Sequence, residues 1–76
     1  MNQVPVKVSS AADVGALVKQ RRKSQDLSQQ DFASLAQTGN RFVCDLESGK
    51  GTVQFNKVMQ VLDMLGLDVV IMERKA

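Results

Sequence analysis

The side chains best suited to binding chemistry lie in one stretch near the middle of the chain, between Asn40 and Lys50. Asn40 and Arg41 come first, and asparagine and arginine pair bidentately with adenine and guanine in the DNA major groove. Asp45 follows one turn later, where it could accept a hydrogen bond from cytosine or hold Arg41 as an i, i+4 partner; the sequence leaves both roles open. Lys50 lies between two glycines and suits a phosphate. These residue types in this order predict a DNA-reading surface.

Two short helices joined by a tight turn would position this surface. Ser28 is expected to cap the first helix, and Asp31, three residues later, completes a Ser-x-x-acid capping pattern. The second helix is predicted from Asn40 to Glu47, and Gly49 ends it because glycine adopts the left-handed conformation at low cost. Together they predict a helix-turn-helix over residues 28–48, whose second helix enters the major groove.

The remaining sequence predicts a mainly α domain with a terminal strand. We expect an N-terminal arm over residues 1–9 and a helical core over residues 10–66, which begins with a helix from about residue 10 to residue 24. A fourth helix is predicted over residues 54–65. Residues 67–75 are rich in β-branched side chains and predict a strand.

A second copy of the chain is expected to complete this domain. An isolated strand leaves its backbone edges unpaired, so it must pair with the arm or with the same strand of another copy. The fourth helix also has more apolar residues than one face can bury, and an exposed apolar patch is typical of an interface. The residues expected to face the other helices are Phe55, Val58, Met59 and Leu62. Those expected to remain outside are Val61, Met64 and Leu65. The predicted homodimer interface consists of Val61, Leu65, Leu67, Val69 and Ile71.

Composition argues against several classes of protein. The chain has 76 residues, one cysteine and no histidine, so we expect no internal disulfide, no metal site and no cofactor. The N-terminus lacks the pattern of a secretory signal, and no apolar run is long enough to span a membrane, which predicts a cytoplasmic protein. The sequence contains no nucleophile–base arrangement and no phosphate loop, so we do not expect an enzyme.

The net charge of +2 is unevenly distributed. Residues 1–57 hold eight basic and five acidic side chains, a balance of +3, whereas residues 58–76 hold two basic and three acidic ones, a balance of −1. A basic excess beside the helix-turn-helix suits a domain that neutralises phosphates at one end. A solvated surface would explain so small an excess equally well.

The runs ALVKQRRKSQDLSQQDFASLA and NRFVCDLESGK resemble the lambda-repressor/Cro-type helix-turn-helix family, and the resemblance covers about residues 14 to 65. The most specific matching positions are Leu27-Ser28-Gln29, Ala33, Val43 and Leu46-Glu47-x-Gly49-Lys50. The later run, Thr52-Val53 followed by VMQVLDMLGLDVVI, is similar to the HipB-like antitoxins, in which a terminal strand pairs across a dimer. The resemblance therefore implies a four- to five-helix lambda-repressor-like fold with a C-terminal strand that pairs across a dimer.

The same resemblance implies a function. A HipB-like antitoxin of a type II toxin–antitoxin system binds an inverted-repeat operator in double-stranded DNA, represses its own operon and binds a HipA-like serine/threonine kinase toxin. The alternative is a stand-alone, phage-repressor-like transcriptional regulator without a toxin partner. The operator sequence does not follow from the chain in either case.

The resemblance also implies roles for individual residues. Gln29 contacts a phosphate and braces a base-reading side chain, while Arg22 and Glu47 form an ion pair between the first and third helices. Cys44 is expected as a small residue near the DNA, with a redox switch as the alternative. The complete set of predicted DNA-contacting residues is Ser28, Gln29, Asn40, Arg41, Cys44, Asp45, Ser48, Lys50 and Thr52.

The turn departs from the family pattern at two positions. Gln37 stands where the family has glycine, and Gly39 stands where it has serine or a similar cap. The first departure predicts a positive φ angle at Gln37, which a glutamine tolerates poorly. The second predicts a weaker cap, because glycine has no side chain that accepts a hydrogen bond.

Overall fold

The computed structural model describes residues 5–75. Within this range the chain forms four helices: α1 (Ala11–Ser24), α2 (Gln29–Leu35), α3 (Asn40–Glu47) and α4 (Phe55–Met64). The predicted bounds of α1 and α3 and the predicted start of α2 after its Ser28 cap are thus confirmed, and α4 is one residue shorter at each end than predicted. None of these helices is long and apolar enough to span a membrane.

Side-chain caps begin the first two helices. The Ser10 hydroxyl accepts a hydrogen bond from the Asp13 amide at the start of α1, at 3.2 Å. The Ser28 hydroxyl does the same for the Asp31 amide at the start of α2, at 3.0 Å. Each cap satisfies an amide that has no partner inside its helix. Gly39 precedes α3 without a side-chain hydrogen bond, as its residue type requires.

The turn between α2 and α3 confirms the left-handed backbone predicted at Gln37, whose φ is +56°. The Thr38 amide donates to the Ala33 carbonyl at 2.9 Å, and the Gln37 amide donates to the Ser34 carbonyl at 3.2 Å. This is the Schellman pattern that closes helix C-termini. The motif therefore keeps the glycine-type turn geometry with a glutamine in it.

The core consists of residues from all four helices and the ends of α2 and α4. Its buried members are Val18, Phe32, Ala33, Ala36, Val43, Leu46, Val58, Val61, Leu62 and Leu65. The two helices of the helix-turn-helix pack against α1 and against the buried face of α4.

The predicted inward face of α4 is partly wrong. Phe55 is 72% exposed and Met59 is 37% exposed, whereas Val61 and Leu65 are each 1% exposed. The spacing i, i+3, i+4, i+7 fits the stripe that starts at Phe55 and equally the stripe that starts at Val58, three residues later. The second stripe packs inward. Val61 and Leu65 are therefore core residues of a single chain and offer no surface to a second copy.

Contacts between distant parts of the chain select this stripe. Arg21 Nε donates to the Leu65 carbonyl at 3.1 Å, so α1 caps the C-terminus of α4 with a cation. Gln60 Nε2 donates to the Ala36 carbonyl at 2.8 Å, which ties the middle of α4 to the end of α2. Both contacts favour burial of the C-terminal half of α4.

The terminal segments carry no regular secondary structure in the described part of the chain. Residues 67–75 do not form a strand there, so the predicted strand and its pairing across a dimer are not confirmed. Leu67 packs partly against the core, but Val69 and Ile71 are exposed, Ile71 to 94%. The predicted arm falls partly on residues 1–4, outside the described residues, and its described part, residues 5–9, is exposed.

Candidate nucleic-acid interface

Helix α3 has one polar, exposed face and one inward face. At 3.6 residues per turn, the five polar or small residues of the outer face fall within about 140° of the helix circumference. These residues are Asn40, Arg41, Cys44, Asp45 and Ser48; all but Asp45, which is half-buried, are exposed. Val43 and Leu46 lie on the opposite side in the core. The sequence-predicted side chains are thus brought together on one surface.

Close contact with α1 fixes the position of this surface. Gly15 is buried where α1 crosses the end of α3. A Cβ atom at this position would overlap the Leu46 carbonyl oxygen and would lie 3.1 Å from the Glu47 carbonyl oxygen. The absence of a side chain therefore lets the backbones of the two helices approach each other. Any larger residue would displace α3 and the polar face it carries.

An ion pair joins the same two helices. Arg22 Nε donates to Glu47 Oε2 at 2.7 Å, and Arg22 Nη2 donates to Glu47 Oε1 at 3.0 Å, a bidentate arrangement. The side chains are only 7% and 3% exposed. Arg22 also donates to the Leu27 carbonyl, so the guanidinium anchors the linker between α1 and α2. This is the pair that the family resemblance implied.

Gln29 belongs to this network. Its side-chain Nε2 donates to Glu47 Oε1 at 3.1 Å. Glu47 therefore accepts three hydrogen bonds from two side chains, and Gln29 connects the first turn of α2 to the last turn of α3. The contact fixes the relative position of the two helices of the motif.

Electrostatics keep this pair ionised. Burial by itself would raise the pKa of Glu47, but hydrogen bonds from Arg22 and Gln29, with the charges of Arg22 and Lys19, outweigh it and lower the pKa. The hydrogen bond to Glu47 raises the pKa of Arg22. Both side chains therefore stay charged at neutral pH.

Asp45 lies between two cations at the solvent-exposed edge of the face. Its Oδ1 is 3.4 Å from Arg41 Nε, and its Oδ2 is 3.6 Å from Lys50 Nζ. The first contact is the i, i+4 pair that the sequence left open. The second joins the helix to the loop after it. Its five-residue spacing across a helix end matches no standard helical pair, so it could not be predicted from the sequence.

The other predicted contact residues lie at the rim of the face. The Ser28 hydroxyl is used as a cap, and the Ser48 hydroxyl donates to the Asp45 carbonyl at 2.9 Å. Thr52 is exposed in the loop after α3, and Cys44 is an exposed free thiol. Lys57 of α4 lies 5.7 Å from the centre of the Phe42 ring, which adds a further cation near the face.

A capped helix, a left-handed turn and a second helix with an exposed polar face together define a helix-turn-helix, the motif of a class of DNA-binding domains. The chain is 47% identical over 66 residues to an uncharacterized HTH-type transcriptional regulator, y4mF, of Sinorhizobium fredii (strain NBRC 101917 / NGR234), and the match covers 87% of each protein. The chain belongs to the family of HTH-type transcriptional regulators. No protein-family model matches it.

Solved structures of HipB have the same fold. A HipB variant in an O2 20mer complex superimposes with a TM-score of 0.82 at 15% sequence identity, over 95% of this chain and 100% of that one. A HipB–O4 20mer complex gives 0.81 at 15% identity, over 93% of this chain and 100% of that one. A chain of the HipA–HipB–O2–O3 complex gives 0.82 at 15% identity, with the same coverage as the second. At this identity the likeness establishes the fold.

Proposed function

We propose that this protein is a sequence-specific transcriptional repressor that reads DNA with the exposed face of α3. The observation that carries the proposal is that Asn40, Arg41 and Asp45 lie together on one outward face of α3. None of the three belongs to the buried core. Such a helix fits the width of the major groove, and its N-terminal residues meet base edges first.

Phosphate contacts on either side of this face would set the docking register. Ser28 and Gln29 lie at the N-terminus of α2, and Lys50 and Thr52 lie in the loop after α3. Contacts of this kind position a protein on the duplex without reading its sequence. Gln29 would serve twice in this arrangement, because its amide already braces Glu47.

A second copy is needed for a two-part operator. One chain presents one recognition helix, and two such helices would have to lie about 34 Å apart to read successive major grooves. We infer a homodimer formed by the C-terminal segment 67–75, whose Val69 and Ile71 are exposed in the single chain. If this segment paired with its counterpart as a strand, the backbone groups of the two segments would satisfy each other.

We further propose that the protein is a HipB-like antitoxin that represses its own operon and binds a HipA-like kinase. The support is the fold shared with HipB, which is known in a complex with HipA, together with the resemblance in the C-terminal third of the chain. The alternative is a regulator without a toxin partner, which the name of the y4mF relative favours because it specifies only transcriptional regulation.

A footprint on the DNA upstream of the protein's own gene tests the DNA-binding proposal. We expect protection of two half-sites about one helical turn apart, and loss of that protection with Arg41→Ala. Gln30→Ala, at an exposed position of α2 outside the predicted contact set, is the matched control. A monomer at micromolar concentration without affinity for this DNA at moderate salt would refute the proposal.

Co-expression with the product of the neighbouring gene tests the antitoxin proposal. We expect the two proteins to co-purify and the chain to protect cells from a kinase encoded there. If the neighbour is not toxic or does not bind, the regulator without a partner is the better description. This outcome would leave the DNA-binding proposal unchanged.

A further inference from the structure

We propose that Asp45 is a specificity-determining residue that restrains binding to DNA of the wrong sequence. By holding Arg41 and Lys50, it weakens binding to duplexes that offer those cations only phosphates. This inference rests on the proposed DNA-binding function and deepens it, because it assigns one member of the recognition face a negative role.

The geometry gives each carboxylate oxygen a different cation. Oδ1 contacts Arg41 in the first turn of α3, and Oδ2 contacts Lys50 in the loop after the helix. The Lys50 amide also donates to the Asp45 carbonyl at 3.0 Å, and this hydrogen bond keeps Lys50 close to the Asp45 carboxylate. The Asp45 side chain is 24% exposed, whereas that of Arg41 is 86% exposed. A partly buried carboxylate thus contacts two cationic side chains that are more exposed than it is and can reorient toward DNA.

The atom of Arg41 that contacts Asp45 suggests how a correct base escapes this restraint. The contact is made by Nε, and no described contact of Arg41 involves its two terminal nitrogens. Arginine has five N–H donors in a planar fork, so the terminal ones remain available for guanine O6 and N7. Reading guanine is compatible with the Asp45 contact, which also orients the guanidinium.

Binding to phosphates alone has no such compensation. A phosphate that recruits Arg41 or Lys50 must compete with the carboxylate, and the carboxylate itself is repelled by the negative backbone. Asp45 therefore disfavours every sequence, but the correct one regains the loss through base contacts. Specificity produced by a repulsive group is a general feature of discriminating interfaces.

Titration of the protein with two labelled duplexes tests this inference. One duplex is the footprinted upstream site, and the other is a scrambled sequence of equal length and composition. For Asp45→Asn we expect the affinity for the scrambled duplex at 50 mM salt to rise on the order of tenfold, and that for the upstream site to rise less than threefold. The dependence of log K on log salt should steepen by about 0.9 to 1.8 for the scrambled duplex, since one or two phosphate contacts are gained.

Three further measurements separate this effect from net charge and from folding and test its coupling to Lys50. Asp63→Asn makes the same change in charge on α4, at an exposed position without a described ion pair, and should affect both duplexes equally and by less than twofold. In a Lys50→Ala background, Asp45→Asn should lose a large part of its effect on the scrambled duplex, because the two residues are coupled. Thermal melting of each variant reports its folding.

The outcomes decide the matter. If Asp45→Asn strengthens binding to both duplexes equally, the change in net charge explains the effect and the inference is overturned. Selective weakening of the upstream site would overturn it in favour of direct base reading by Asp45, and unchanged affinities would remove any role. If the wild-type protein binds neither duplex, the proposed function fails and this inference fails with it; the first three results leave DNA binding intact.

Discussion

Replacing Gly15 with alanine tests the packing that positions the recognition helix. In an unconstrained helix this change would stabilise the protein by about 1 kcal/mol, because alanine is the better helix former. Here the added Cβ would overlap the Leu46 carbonyl oxygen and crowd the Glu47 carbonyl at 3.1 Å. Neither obstacle is a flexible side chain that can turn away. The backbone of α3 or of α1 must therefore move.

The expected size of the effect follows from these opposing contributions. Overpacking of a close backbone contact costs about 3 kcal/mol at the upper end of its usual range. Subtracting the gain of about 1 kcal/mol in helix propensity leaves a net loss of about 2 kcal/mol. For a chain of this size, that loss lowers Tm by about 8 to 16 °C.

Urea and thermal denaturation followed by far-UV circular dichroism measure the change in stability. Ala16→Gly, at the exposed neighbouring position of α1, is the matched control, since it removes the same methyl group without relieving any contact. It should destabilise by about 1 kcal/mol through propensity alone. A Gly15→Ala protein as stable as the wild type, or more stable, would show that α1 and α3 do not approach as described.

Four further predictions concern the ion pair, its pH dependence, the turn and the recognition face. Glu47→Ala should destabilise the protein by about 3 to 5 kcal/mol in a urea titration, because it leaves Arg22 buried without a partner, and should weaken DNA binding; unchanged melting and DNA titration would contradict this. The lowered pKa of Glu47 makes its stabilising contribution complete above the unfolded pKa of about 4.3 and lost as pH falls through the lower folded value. Unfolding free energies measured from pH 7 down to pH 2 should therefore fall in this acidic window, and Glu47→Gln should flatten the curve. Gln37→Gly should stabilise by about 1 kcal/mol in thermal melts, because it relieves a left-handed backbone, with Gln30→Gly inside α2 as the destabilising control. Arg41→Ala should reduce affinity for the upstream site by about 1 to 3 kcal/mol in anisotropy titrations while leaving stability within about 0.5 kcal/mol, and an unchanged affinity would exclude this arginine from base reading.

Residues within a few positions of each other determined the features that the sequence predicted well. Ser28 and Asp31 mark the start of α2, and the helix-turn-helix bounds follow from such caps and from the residues of the turn. The positive φ at Gln37 was expected from the family pattern, which has glycine at this position, since glutamine itself carries no signal for it. Hydrogen bonds at helix ends join near neighbours, so the local sequence carries the information needed to place them.

Only the tertiary structure decided which side of α4 packs inward and which side chains of separate elements meet. Two stripes on α4 fit the helical period, and contacts with residues far away in the chain buried Val61 and Leu65 rather than Phe55 and Met59. The position of Gln29 on Glu47 and the second cation on Asp45 likewise join separate elements. Periodicity fixes which residues share a face, but the energy of packing and of distant hydrogen bonds determines which face turns inward.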